Sequence, residues 1–260
     1  MSDYKDKYQL IWQDDFETDG LPNPDKWSAQ VGGHGWGNNE LQYYTESGNA
    51  WVENGKLIIE AREEADKADQ HEGRTITSAR LRTVGKGDWQ YGLIEICAKV
   101  PKGLGTWPAI WMMPSVRDGK GGWPACGEID IMEHVGFKPE EIFATVHTGA
   151  YNHIKRTQKG KIKKYEGVND HFFVYSVEWM PDKMIFRVND DILFSYDPKE
   201  HLEAGAKVTD AEWPFDKPFH VILNIAFGGN LGGAKGIDMG VLPVRMEVDY
   251  VRAYSAKQQK

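Results

Sequence analysis

The chain has 260 residues, 40% hydrophobic and 27% charged, with 28 Gly, 10 Trp, 11 Tyr and 10 Phe. That composition is globular, turn-rich and ring-rich, which excludes a disordered or fibrous chain. A net charge of −8 argues against nucleic acid or an anionic membrane as the main partner, and no run of about 18 apolar residues is there to span a bilayer.

The opening Met1-Ser2-Asp3-Tyr4-Lys5 is polar and lacks the apolar stretch of a secretory leader. It fits a cytoplasmic protein or one whose leader has been removed. Cys97 and Cys126 are expected to be free thiols, since a fold of this size needs no disulfide.

Helical periodicity is nearly absent: only Glu63–Glu72 and Lys199–Ala206 qualify, and both read equally well as loops. Strands are predicted elsewhere. Leu57-Ile58-Ile59-Glu60-Ala61 follows the turn pair Asn54-Gly55, and a small-polar run covers Thr77 to Thr83. Tyr91 to Val100 stops at Pro101. From Phe172 to Tyr196 the pattern is a meander, with Phe173, Tyr175, Val177 and Trp179 on one face and turns at Pro181-Asp182-Lys183 and Asn189-Asp190-Asp191. Phe219 to Phe227 and Met246 to Tyr254 supply two more strands, and Lys257–Lys260 is expected to fray. Turn signals at this spacing predict one all-β domain over 1–260, with its core in about 10–255, built as a sandwich or jelly roll.

The most informative segment is Gly127-Glu128-Ile129-Asp130-Ile131-Met132-Glu133-His134. It alternates acidic and aliphatic residues, so as a strand it puts Glu128 and Asp130 on one face and Ile129 and Ile131 on the other. Like charges side by side cost energy, and a purely structural strand rarely carries them. Glu133 breaks the parity: five residues after Glu128, it would face the core. A one-residue bulge between Asp130 and Glu133 returns it to the acidic face. Glu128 and Glu133 are then about four steps apart, ~13 Å at ~3.3 Å per step, and inward-leaning side chains bring the carboxyls to ~5 Å. That matches the ~5–5.5 Å of retaining glycosidases, in which one carboxylate attacks and the other acts as acid and base. Asp130 between them would tune both. Three acids in six residues also suit a Ca²⁺ site or a solvated acidic strand.

The surroundings favour catalysis. Trp107, Ala109 and Trp111 share parity just upstream, and Trp123 precedes the acids; indoles offer flat platforms for sugar C–H faces, although each alone reads as well as core. Gly32 to Glu40 holds four glycines around Trp36 and Asn38, a loop whose backbone can approach a ligand closely. His147 lies in a strand-like run after the acids, where it is either structural or a partner of the acid/base. The eight His show no zinc spacing, and no Gly-x-Ser-x-Gly elbow is present.

Glu128-Ile129-Asp130-Ile131-Met132-Glu133 resembles the bulged signature of glycoside hydrolase family 16. Gly35-Trp36-Gly37-Asn38-Asn39-Glu40-Leu41-Gln42-Tyr43-Tyr44, Thr77-Ser78-Ala79-Arg80, Trp107-Pro108-Ala109-Ile110-Trp111-Met112, Gly122-Trp123-Pro124-Ala125-Cys126-Gly127, Phe227-Gly228-Gly229-Asn230 and Val248-Asp249-Tyr250-Val251-Arg252 resemble its bacterial laminarinases, over about Trp12 to Tyr254. The resemblance implies a jelly-roll sandwich of two curved antiparallel sheets with a concave substrate cleft. It implies endo-acting, retaining hydrolysis of β-1,3-glucan, extending to mixed-linkage β-1,3-1,4-glucan. Glu128 would be the nucleophile, Asp130 its assistant, Glu133 the acid/base and His147 a neighbour of the acid/base. Trp36, Asn38, Arg80, Trp107, Trp111 and Trp123 would hold sugar. No cofactor is implied for the chemistry. A structural Ca²⁺ would sit on the backbone of Glu17 and Gly55 and on Asp249. A secreted monomer is implied, whose partner is a β-1,3-glucan rather than nucleic acid or membrane. The alternatives are a glucan-binding protein that does not cut and a relative acting on another β-linked polysaccharide such as a galactan.

Overall fold

The structure, a computed structural model, describes residues 4–116, 119 and 121–257, so the tail expected to fray lies outside the described residues beyond Lys257. In chain order the strands are β1 (Tyr8–Asp14), β2 (Ser28–Ala29), β3 (Tyr43–Tyr44), β4 (Ala50–Glu53), β5 (Lys56–Glu63), β6 (Ile76–Ser78), β7 (Arg80–Arg82), β8 (Asp88–Trp89) and β9 (Gly92–Lys99). They continue as β10 (Thr106–Pro114), β11 (Glu128–Glu133), β12 (Glu141–His147), β13 (Lys159–Lys164), β14 (Phe173–Trp179), β15 (Met184–Val188), β16 (Asp191–Tyr196), β17 (Phe219–Phe227) and β18 (Val244–Ala256). The two doubtful helical stretches contain short 3₁₀ turns, Ala65–Gln70 and Pro198–His201. No helix among the described residues is long and apolar enough to cross a membrane.

Two sheets form a jelly-roll sandwich. One has the order β16-β15-β14-β9-β18-β5-β6-β3, with β1 also on β18 and β4 on β5. The other has the order β13-β12-β11-β10-β17-β7-β2, with β8 on β17. Pairing is antiparallel except between β3 and β6. The expected hairpin turn at Asn54-Gly55 forms between β4 and β5, with both residues at positive φ, the backbone that suits a two-residue hairpin. The run Thr77 to Thr83 is not one strand: Ile76–Ser78 joins the first sheet and Arg80–Arg82 the second. Ala79, buried at the switch, is small enough to let the chain pass between layers.

The space between the sheets is filled by their inward residues. Ile94, Ile96, Ala98, Tyr175 and Val177 come from the first sheet, and Ile110, Met112, Ile129, Ile131, Val221, Leu223 and Ile225 from the second. The meander face Tyr175, Val177 and Trp179 is buried as its alternation predicts, with Phe173 only partly covered. Packing that inner face leaves the other face of the second sheet to the solvent, and that concave face carries the acids. Cys97 and Cys126 form no disulfide. Burial, with Asp249 beside it, pushes the Cys97 thiol up to about 12, so it is an inert core thiol.

Candidate active site

The acids are placed by the bulge that parity demands. On one side of β11, Asp130 pairs with Thr145 and Glu133 with Phe143, so two residues stand opposite Ala144 alone. On the other side Asp130 pairs with Trp111 and Met132 with Ile110. Ile131 and Met132 both turn into the core, where they are fully buried. Two consecutive apolar residues therefore anchor the strand, and Glu133 returns to the cleft face beside Glu128 and Asp130. The strand begins immediately after Gly127, whose φ of +84° and nearest neighbour, a Pro214 carbon 2.9 Å from where a Cβ would stand, leave no room for a side chain.

A cleft of about 720 Å³ lies over this strand and is lined by Trp36, Asn38, Arg80, Trp107, Trp111, Trp123, Glu128, Asp130 and Glu133. All nine were expected at the site. Asp130 is buried, while Glu128 and Glu133 reach partly into the opening. His147, the β12 partner of Glu128, sits behind them, its Nε2 3.3 Å from Asp130 Oδ2 and 3.7 Å from Glu128 Oε1.

The aromatic residues do different jobs. The Trp107 indole N–H donates to Glu133 Oε1 at 2.9 Å, and its ring is largely covered, so it holds the carboxyl. The Trp111 N–H donates to Asn224 Oδ1 at 2.7 Å. The Arg80 guanidinium lies 4.6 Å from the Trp36 ring centroid and 4.7 Å from that of Trp111, while its Nε donates to Gln30 at 2.7 Å. Trp123 packs against His153, with ring centroids 4.8 Å apart.

Electrostatics bind the acids into one unit. Burial pushes the Glu128 carboxyl up to about 8; Asp130 adds to the push, and His147 and Arg80 oppose it. Burial and the charge of Glu133 hold Asp130 well above the usual carboxylate range. Burial raises Glu133 too, against the Trp107 hydrogen bond and His147. At neutral pH the cluster therefore shares protons, and one carboxyl can be an acid while another is a base. Glu128, Asp130 and His147 also bring their ligand atoms within 4.8 Å of one another, a donor set able to hold a cation.

Sequence reasoning did not assign Glu40 or Asn224 to the site. Both are buried in the cleft floor. Glu40 accepts from Gln42 at 2.6 Å, Tyr44 OH at 3.2 Å and Asn38 at 3.4 Å. Asn224 donates to Tyr44 OH at 3.0 Å, so a continuous buried network runs from Asn38 to Trp111. The available signal was a lone amide within the apolar strand Phe219–Phe227.

The expected calcium residues lie away from the cleft. Glu17 follows β1, Gly55 is in the β4–β5 turn, and Asp249 sits at a register shift in β18 between Val248 and Tyr250. Val248 pairs with Leu57, two residues beyond Gly55, which brings Asp249 toward that turn.

The model of glycosyl hydrolases family 16 matches residues 37–252. The chain belongs to that family. It is 50% identical to a β-glucanase of Rhodothermus marinus over 97% of this chain and 88% of that protein. The structure superimposes on the laminarinase of Rhodothermus marinus with a TM-score of 0.90 at 48% identity, covering 96% and 98% of the two chains. It also matches a mutant of a non-specific endo-β-1,3(4)-glucanase of family 16, co-crystallised with 1,3-β-D-cellotriosyl-glucose, with a TM-score of 0.87 at 43% identity over 95% of each chain. This family 16 member is thus a glycoside hydrolase in fold and in the arrangement of its cleft.

Proposed function

We propose that this protein is an endo-acting, retaining hydrolase of β-1,3-glucosidic bonds in laminarin-type glucans, with mixed-linkage β-1,3-1,4-glucans as a second substrate class. The observation that carries the reading is the bulge at Ile131-Met132, which puts Glu128, Asp130 and Glu133 on one cleft face. Glu128 is the nucleophile: in the reactive protonation state of the cluster the protons sit on Asp130 and Glu133, and the ionised Glu128 carboxylate attacks the anomeric carbon as Glu133 gives its proton to the departing glycosidic oxygen. The glycosidic C–O bond breaks and a glycosyl ester to Glu128 forms. Glu133, now a carboxylate, takes a proton from water, the hydroxide oxygen adds to the anomeric carbon, and Glu128 leaves as a carboxylate. Attack twice from opposite faces retains the anomeric configuration. Asp130 holds the proton that the pair cannot, and His147 orients it. Trp36, Trp111 and Trp123 offer ring faces to sugar, and Asn38 and Arg80 offer hydrogen-bond donors.

Glu128→Gln and Glu133→Gln test the assignment. Each should lower reducing-end release from laminarin by at least about a hundredfold while the fold persists. Full activity in either variant sinks its role, and glucan retention without hydrolysis by the wild type would make this a binding protein instead. Relative rates on laminarin, curdlan, lichenan and agarose rank the substrate classes.

The chain acts as one catalytic domain and as a monomer. A polymeric substrate cannot cross a membrane unaided, which supports work outside the cytoplasm. A structural Ca²⁺ on Asp249 with the carbonyls of Glu17 and Gly55 completes the proposal: oxygen donors suit this ion. A chelator should then lower Tm by a few degrees without touching the chemistry; an unchanged Tm removes the ion from the account.

A further inference from the structure

His147 touches two of the three acids, yet no polar group holds it from behind. Its Nε2 faces Asp130 Oδ2 at 3.3 Å and Glu128 Oε1 at 3.7 Å. Its Nδ1 is buried and, among the described residues, makes no hydrogen bond. The orientation of an imidazole is ordinarily set by the bond that its other nitrogen makes. Here packing has to set it.

That packing comes from two rings. His153 meets the His147 ring edge-on, with centroids 5.2 Å apart and planes at 85°. Trp123 lies 5.8 Å from His147 at 52°. Trp123 and His153 also rest on each other, at 4.8 Å and 35°, so the three rings close a triangle of favourable aromatic contacts. Trp123 stands in the turn before β11 and His153 in the turn after β12, so neither is fixed by a sheet ladder.

Asn152 is what places His153. It is only 1% exposed. Its Nδ2 donates to the carbonyls of Thr148 and Gly149 at 3.0 and 3.4 Å, and its Oδ1 accepts from the Lys155 N–H at 3.2 Å. Its backbone N–H donates to Thr157 Oγ1 at 3.2 Å, and its carbonyl accepts from the Thr157 N–H at 3.0 Å. The turn is therefore braced from inside. It carries His153 to the place where two hollows meet, the one lined by Trp36 and Arg80 and a second of about 510 Å³ that passes Phe143 and Ile162. Burial and the neighbouring His147 hold the His153 imidazole below its usual range, so at neutral pH it adds a ring beside the acids without adding charge.

We propose that His153 is a positioning residue for the hydrolysis, its ring holding the His147 imidazole against Asp130 and Glu128. The proposal rests on the glucanase reading and adds to it a residue that acts through His147 rather than on the reacting atoms. Without the His153 ring, the His147 ring is free to turn about its side-chain bonds, and the two carboxyls lose a fixed neighbour. A direct bond from His153 to a sugar hydroxyl would need a ring nitrogen. Packing needs only a flat ring, which makes the two roles separable.

The test measures kcat and KM on laminarin for His153→Ala and His153→Phe, each also combined with His147→Ala. His153→Ala should lower kcat about ten- to a hundredfold, as a displaced catalytic neighbour does, while His153→Phe stays within about threefold of wild type because it keeps the ring. In the His147→Ala background, His153→Ala should change kcat by less than about twofold, since residues acting through one contact are not additive. An unchanged kcat in His153→Ala, a His153→Phe as slow as His153→Ala, or additive losses in the double variant each overturn the proposal. Thermal unfolding checks that the variants fold, and His153→Gln, similar in size but without a ring, replaces His153→Ala if that variant does not. A wild type inactive on laminarin defeats the glucanase reading instead. Crystal structures of wild type and His153→Ala then decide the positioning alone: the His147 ring should leave Asp130 or take two orientations in the variant, and a single unchanged orientation overturns the proposal.

Discussion

At Glu133, burial raises the carboxyl and the donated N–H of Trp107 pulls it down. The hydrogen bond favours the charged form, so it limits how long Glu133 stays a competent acid as pH rises. Trp107→Phe keeps the ring and removes the donor. Its alkaline limb in kcat/KM should move to higher pH by about one to two units, the worth of one hydrogen bond to a charged group. A limb that stays in place means that Glu133 is not the acid. Glu40 is held differently: five polar side chains, Asn38, Glu40, Gln42, Tyr44 and Asn224, satisfy one another in the cleft floor, a network that fixes their positions.

The bulge is the decisive feature at the scale of the element. With Ile131 and Met132 both in the core, the strand carries one residue more than its partners, and that residue decides which way Glu133 points. Deleting Met132 leaves a regular alternation with all three acids still on one face. The deletion should therefore keep measurable hydrolysis, well above that of Glu133→Gln, while the lost side chain costs about 2–4 kcal/mol of stability through the cavity it leaves. Thermal unfolding and laminarin assays on the deletion variant read both. Activity as low as that of Glu133→Gln would mean that the bulge sets the spacing of the carboxyls as well as their face.

Across the whole molecule, the acid cluster opposes the stability of the fold that holds it. The Glu128 carboxyl has its ordinary value of 4.5 when unfolded and is raised to about 8 in the folded protein, chiefly by burial. Between those values the folded state binds the extra proton, so stability falls as pH rises from about 4.5 to 8 and is level above that. Glu128→Gln removes the ionisation. It should raise stability at pH 8 by roughly 1–3 kcal/mol, a Tm gain of several degrees, and the gain should shrink toward pH 4.5. A gain independent of pH would assign the effect to packing rather than to charge.

Local chemistry made much of this readable in the chain itself. Alternation and turn residues declared the meander from Phe172 to Tyr196, the hairpin at Asn54-Gly55 and the closing strands, because a strand packed on one face must repeat every two residues. The parity of Glu128, Asp130 and Glu133 even required the bulge, since an ionised carboxylate does not enter an apolar core unpaired. Other features depended on residues far apart in sequence. Whether Trp107 is a sugar platform or the hydrogen-bond donor to Glu133 depends on two strands meeting, and Asn224 joins the site only because β17 lies beside β10. Ala79 divides one polar run between two sheets, which no local pattern announces. Periodicity reports which face a residue occupies, but only the packed sheets decide what that face meets.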